Sequence, residues 1–398
     1  MNPRLDLLHP YPFQKLRELF AGISANANLK HINLSIGEPK HATPPFIGGA
    51  LLENLAGLAN YPVTQGNPSL RQAIGNWLQQ RYGLPSLDID KQIIPVNGSR
   101  EALFAFAQAI IDPSRPAPVV LSPNPFYQIY EGAALLAGAE PYYLNTLPEN
   151  RFRLDLASVP ESVWQRTQLM YVCSPGNPTG AVLDLEDWRE LSDYSQRYNF
   201  VIASDECYSE IYFDEGQAPL GALQAAQQLG LPDYDRLVVF SSLSKRSNVP
   251  GMRSGFVAGN AAILQKFLLY RTYHGCAMNP AVQSASEAAW NDETHVQENR
   301  RLYKEKFSAV TPILAQALPV EMPDAAFYLW VRTPVDDTVF AQTLYRDYNV
   351  TVLPGSYLAR EAHGINPGAG FIRIALVAEL NECLEAAQRI VACAQNLK

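Results

Sequence analysis

Four short segments of this 398-residue chain concentrate residue types able to do covalent or electrostatic chemistry: Asn97-Gly98-Ser99-Arg100, Ser174-Pro175-Gly176-Asn177-Pro178, Asp205-Glu206-Cys207-Tyr208 and Ser241-Ser242-Leu243-Ser244-Lys245. Lys245 follows the apolar run Leu237–Phe240. Burial lowers a lysine's pKa, which leaves its amine nucleophilic near neutral pH and able to condense with carbonyls. Ser242, Ser244 and Arg253 add two hydroxyls and a guanidinium fork, donors that suit a phosphate. A solvated loop lysine is the plain alternative. Asp205 ends the apolar run Phe200–Ser204 and therefore needs a hydrogen-bond or cationic partner. A protonated pyridine nitrogen would be such a partner, with the carboxylate keeping the ring electron-withdrawing. Tyr208, three residues on, can donate to a phenolate oxygen of the same ring. The competing account makes Asp205 a helix N-cap.

The turn Ser174–Gly180, SPGNPTG, holds two prolines and two glycines and presents Asn177 to a ligand oxygen. Gly98-Ser99-Arg100 precedes a helical run. Its free N–H groups and dipole would receive a phosphate, unless Ser99 is only an N-cap. Taken together, the four segments supply an imine-forming lysine, a ring-nitrogen carboxylate, two ring-oxygen donors and a phosphate cup. That is the set of groups pyridoxal 5′-phosphate requires.

The elements that must position these groups are legible as alternating patterns. Apolar strand candidates are Gln92–Val96, Pro118–Ser122, Leu169–Cys173, Phe200–Ser204, Leu237–Phe240 and Phe256–Ala258. Helical stretches such as Arg100–Ile111, Tyr130–Ala137 and Asp184–Tyr198 lie between them. Strands apolar throughout and separated by helices predict an α/β fold with a mostly parallel sheet sandwiched by helices. Ligands of such sheets sit beyond the carboxyl ends of the strands, where the four segments fall. After Gln283 come a long amphipathic stretch, Ser284–Leu318, and the strand candidates Ala326–Val331, Val350–Leu353 and Phe371–Ala375. They predict a smaller α+β domain closed by a helix through Asn381–Cys393. The expected organisation is an N-terminal segment (1–45) packing on the small domain, a large cofactor-binding domain (46–283) and a small C-terminal domain (284–398).

Composition narrows the function classes. A hydrophobic share of 47% with 18% charged residues is that of an ordinary globular protein. The net charge of −8 argues against a protein that tracks a nucleic-acid backbone. Five scattered cysteines without a CxxC pattern suit reduced thiols. With no signal-like h-region at the start and no long apolar run, a cytoplasmic location is expected. No GxGxxG follows an early strand, which removes the main support for a nicotinamide dehydrogenase. No basic tail or helix-turn-helix region supports a regulatory binding protein. A lyase or decarboxylase using the same cofactor on the same fold is the nearest rival reading.

The SPGNPTG, D-x-x-Y and S-x-S-K-x₇-R elements, in this order, resemble the class I/II aminotransferases of the pyridoxal-phosphate fold type I over nearly the whole chain. The resemblance implies Lys245 as Schiff-base lysine, Asp205 at the ring nitrogen, and Asn177 and Tyr208 at the ring hydroxyl oxygen. Ser99, Arg100, Ser242, Ser244 and Arg253 would hold the phosphate, and Tyr127 in PFYQIY would stack on the ring. It further implies that Arg373 in FIRIAL grips the α-carboxylate of the substrate and that Gly37 in SIGEP belongs to a closing loop. Tyr61 would reach the phosphate bound by the neighbouring subunit of a homodimer. Within the family, HPYPFQKLRELF, NLSIGEPKH, VNGSREALFAF, SPNPFYQIYEGAA, SLSKRSN and LLYRTYHGCAMN resemble the bacterial succinyldiaminopimelate transaminases. That likeness implies glutamate as amino donor and an N-succinylated dicarboxylic keto acid as acceptor. Aspartate- and acetylornithine-type transfer are the alternatives. A second cation should then meet the distal carboxylate, with Arg271 and Arg100 as candidates.

Overall fold

The computed structural model describes residues 1–275 and 277–398. Its strands in chain order are β1 (Ile32–Asn33), β2 (Ile93–Val96), β3 (Val119–Asn124), β4 (Glu140–Asn145), β5 (Thr167–Cys173), β6 (Val201–Asp205), β7 (Leu237–Ser242), β8 (Gly255–Gly259), β9 (Tyr328–Arg332), β10 (Val350–Thr351), β11 (Leu353–Pro354) and β12 (Phe371–Ala375). Seven of them form one sheet in the order β2-β8-β7-β6-β5-β3-β4. All neighbouring pairs are parallel except those made by β8, which runs against both β2 and β7. The expected mostly parallel α/β sheet is therefore present.

The period of two along each strand explains why these segments are apolar throughout. Val119, Leu121, Met170, Val172, Ile202 and Val239 enter one core. Val120, Leu169, Tyr171, Ala203, Val238 and Phe240 enter another on the opposite face. With helices on both faces, each residue along a strand meets apolar neighbours. β4 is the exception and was absent from the strand candidates. It lies at the sheet edge, so its sequence EPYYLN tolerates a proline and partial exposure.

A second, three-stranded antiparallel sheet has the order β11-β12-β9, which puts β12 in the middle. The helices Thr294–Leu314, Asp337–Tyr348 and Leu380–Asn396 share a core with it. The stretch expected as one strand, Val350–Leu353, divides at Val352: β10 pairs with β1, and β11 pairs with β12. Two contacts join the sheets near the turns that carry chemistry. Ala325 N–H donates to Gly180 O at 3.1 Å, and Ala326 N–H donates to Ile211 O at 2.8 Å. The N-terminal segment runs along the end of β12, where Ala375 N–H donates to Leu34 O at 2.8 Å. Among the described residues no helix is long and apolar enough to cross a membrane.

Candidate active site

The carboxyl ends of β5, β6 and β7 and the amino end of the reversed strand β8 face the same side, and a cavity of about 440 Å³ opens there. Lys245, Asp205, Tyr208, Asn177, Ser99, Arg100, Tyr127, Ser242, Ser244, Arg253, Gly37 and Arg373 all line it. Tyr61 does not; it is fully exposed on the surface of its own chain. Of the two cations considered for a distal carboxylate, Arg100 lines the cavity, with its guanidinium carbon 5.8 Å from the Tyr11 ring centroid. Arg271 is buried in the helix Ala261–His274, over Phe267, and is not part of the lining.

Lys245 sits on a single helical turn, Leu243–Arg246, directly after β7. Its Nζ donates to Gly37 O at 2.6 Å and lies 5.5 Å from the Phe327 ring centroid. Burial lowers its pKa to about 8, with nearby Arg373 and Arg253 pushing the same way. The amine is thus available as a free base close to neutral pH.

Asp205 ends β6 and is buried. A turn follows it, so the N-cap account does not hold: Cys207 N–H donates to its Oδ1 at 3.3 Å, and the next helix begins at Ala222. Tyr130 O–H donates to Asp205 Oδ2 at 2.8 Å from a ring stacked on Tyr171, centroids 4.7 Å apart. Desolvation raises the carboxyl pKa of Asp205. A cationic N–H placed against it would relieve that cost.

At the other wall Arg373 projects from the middle strand β12. Its Nη1 donates to Asn177 Oδ1 at 2.9 Å, and its Nη2 donates to Ser35 O at 2.8 Å. The guanidinium lies over the Tyr328 ring at 4.4 Å, and Nε has no partner. The Tyr208 and Tyr328 hydroxyls are 2.8 Å apart. Burial raises the Tyr208 phenol well above its ordinary value, which keeps it a donor.

The phosphate end is built differently. The helix Ser99–Ile110 starts with Gly98 as N-cap at φ 90°, so Ser99 is the first helical residue and not the cap. Ser99 Oγ accepts from Cys207 Sγ at 2.9 Å. A Cβ at Gly98 would collide with the Arg253 guanidinium, so only glycine lets that group approach the helix start. Arg253 donates to Glu101 Oε2 at 2.6 Å and to Pro250 O at 2.9 Å. Ser242 Oγ is buried without any partner. An orphaned buried hydroxyl, a fork of guanidinium donors and a helix N-terminus in one concavity fit the phosphate of pyridoxal phosphate. A lysine with a lowered pKa fits its aldehyde.

Sequence reasoning did not single out Tyr130, Tyr328, Glu101 or Tyr11 as site residues. The pair Tyr127 and Tyr130 in PFYQIY was the available signal for Tyr130: Tyr127 lies just before the helix Ile129–Ala137 and Tyr130 in its first turn, with their rings 5.9 Å apart. Among the described residues no cluster of His, Cys, Asp and Glu is arranged to hold a metal.

Comparison with known proteins agrees with this geometry. The family described as aminotransferase class I and II matches residues 30–390. LL-diaminopimelate aminotransferases from Nitratidesulfovibrio vulgaris (strain DP4) and Aquifex aeolicus (strain VF5) are 34% and 32% identical to this chain. The alignments cover 97% of both chains for the first, and 100% of this chain and 99% of the relative for the second. Among solved structures, an aminotransferase from Neisseria meningitidis Z2491 superposes with a TM-score of 0.96 at 55% identity, covering 98% of this chain and 99% of that one. A probable N-succinyldiaminopimelate aminotransferase from Thermus thermophilus gives a TM-score of 0.81 at 28% identity, with 96% and 98% coverage.

Proposed function

This chain belongs to the class I and II aminotransferases, and from that premise we propose that it moves an amino group between glutamate and N-succinyl-2-amino-6-oxopimelate, a step toward diaminopimelate and lysine. The observation that carries the reading is the meeting of Lys245 and Asp205, at the ends of two neighbouring strands, with Arg373, from the middle of β12 in the other sheet, around one cavity. The likeness to a probable N-succinyldiaminopimelate aminotransferase supports the acceptor.

Pyridoxal phosphate, the cofactor of this family, supplies an aldehyde that condenses with amines and a ring that withdraws electrons from the substrate Cα. Ser99, Arg100, Ser242, Ser244 and Arg253 hold its phosphate, Tyr127 its ring face, and Asn177 and Tyr208 its ring hydroxyl oxygen. Asp205 holds the proton on the ring nitrogen, and Tyr130 fixes the carboxylate that does so. Arg373 keeps Nη1 on Asn177 and Nη2 on Ser35 O, so its fork is aimed before a substrate α-carboxylate arrives. Lys245 Nζ removes the Cα proton. Its lowered pKa, about 8, brings the free base within easy reach near neutral pH, and Gly37 O accepts one N–H of the amine. Arg100, which lines the cavity where Arg271 does not, is the candidate for the distal carboxylate; engaged there, it would leave the phosphate to Ser99, Ser242, Ser244 and Arg253. Tyr61 lies on a stretch with exposed Leu52, Leu55 and Leu58 and reaches the phosphate site of a second copy in a homodimer.

Borohydride reduction of the holoprotein followed by peptide mapping tests the centre of this reading, and a label anywhere but Lys245 refutes it. A second reading, transfer from free LL-diaminopimelate, is favoured by the curated relatives. Glutamate formation from 2-oxoglutarate separates the two: N-succinyl-LL-diaminopimelate should be the better donor by at least tenfold in kcat/KM, and the reverse order would establish the second reading.

A further inference from the structure

The carbonyl of Lys245 is the start of a polar chain that the transfer chemistry does not use. Asn299 Nδ2 donates to Lys245 O at 3.1 Å and reaches Arg246 O at 3.5 Å. These are the open carbonyls at the end of the single turn Leu243–Arg246, and a buried carbonyl of that kind needs a donor. Because both partners are carbonyls, the amide orientation of Asn299 is determined and Oδ1 faces the other way. That oxygen meets His41 Nδ1 at 2.7 Å and Asn248 Nδ2 at 3.1 Å. An amide oxygen only accepts, so His41 Nδ1 carries the proton. The other ring nitrogen, Nε2, lies 2.7 Å from Lys306 Nζ.

Lys306 is buried, also donates to Val377 O at 3.3 Å, and forms no salt bridge among the described residues. An ammonium there has to donate to Nε2, which requires a neutral imidazole. Protonating His41 would set two donors against each other. Desolvation lowers the pKa of His41, the Asn299 bond opposes that, and Lys306 lowers it further; Glu379 and Glu298 pull weakly the other way. Burial lowers Lys306 as well. The direction of every link is thus set by the Lys245 carbonyl at one end and the Lys306 amine at the other.

The chain crosses three parts of the molecule. Asn299 and Lys306 are on one face of the helix Thr294–Leu314, His41 is in the N-terminal segment, and Lys245 is after β7. His41 is four residues from Gly37, whose carbonyl takes the Lys245 amine. The same short loop therefore grips Lys245 at its side-chain end through Gly37 and at its backbone through His41 and Asn299. We propose that His41 is a positioning residue for amino transfer: held as the Nδ1–H tautomer between Asn299 and Lys306, it locks the Gly37 loop and the Lys245 turn to each other. This rests on Lys245 being the reactive lysine.

The test uses the holoenzyme. His41→Ala should lower kcat ~10–10²-fold, the cost of a misplacement of about 1 Å, with a smaller change in KM. It should also shift the pH at which the visible absorbance of the bound cofactor changes. His41→Asn, whose amide can still donate toward Asn299, should recover most of both. Loss of thermal stability in His41→Ala with kcat and the absorbance midpoint unchanged would overturn the proposal. Lys306→Met gives a second route that does not depend on His41→Ala folding. By proton NMR the His41 ring should stay neutral in the wild type where exposed histidines titrate, and in the variant its titration should move up toward the ordinary range while burial still holds it below. An ordinary wild-type titration would also overturn it. Borohydride labelling at Lys245 in every variant keeps a failure here distinct from a failure of the aminotransferase assignment.

Discussion

The two ends of the cavity are built on opposite principles. At the substrate-carboxylate end, Arg373 is 4% exposed and its fork is already engaged by Asn177 and Ser35, with Tyr328 beneath it. At the phosphate end, Ser242 Oγ has no partner, and the Arg253 side chain is 41% exposed with only Glu101 and Pro250 to hold it. The first end is assembled from residues far apart in the chain and is rigid before any ligand arrives. The second comes from strand and helix termini that expose donors by their nature. Preorganisation therefore belongs to the group that selects substrates, and open valence to the group that retains the cofactor.

Two substitutions can sharpen or break that contrast, and a third probes the buried carboxyl next to Asp205. Arg373→Lys keeps the charge but loses the fork, so kcat/KM for α-amino acids should fall ~10²-fold through loss of a charge-assisted bond. Cofactor affinity, measured by titrating the cofactor-free protein, should be unchanged. Ser242→Ala should do the converse: about tenfold weaker cofactor binding from one lost bond to a charged group, with KM for glutamate intact. If each variant instead altered both quantities alike, the two ends would not be separate devices. The smallest effect concerns Glu206, buried beside Asp205. Desolvation raises its pKa to about 7, while Ala222 N–H and Ser204 Oγ hold it at 2.7 and 3.0 Å. A carboxyl whose pKa rises on folding binds more protons in the native state, so this group's contribution to stability is greatest at low pH. It is lost as pH rises from about 4.5 to about 7. Glu206→Gln should flatten that fall in thermal-melting profiles of the cofactor-free protein.

The large sheet was legible because strands covered on both faces are apolar without alternation, and all six candidate runs there begin and end within two residues of the observed strands. β4 was not, because an edge strand carries partial exposure and a proline, which interrupt the continuous apolar run that marked the others. Tyr130 and Tyr328 entered only as members of a helical stretch and a strand candidate, since nothing local distinguishes a buried tyrosine that donates to Asp205 from one that only packs. Arg271 and Arg100 were indistinguishable for the same reason until burial placed one under its own helix and the other on the cavity wall.

By itself, the sequence determined the reactive groups at the strand ends and their order. The distances from Asp205 to Tyr208 and from Lys245 to Arg253 are set by a few consecutive residues and their local geometry. Only the tertiary structure decided that His41 and Asn299 join them, that Gly37 and Arg373, expected from the family resemblance, meet Lys245 and Asn177, and that Lys245 is dry enough to lose its charge near pH 8. Contacts between residues hundreds of positions apart, and the desolvation they impose, are products of packing that no local pattern encodes.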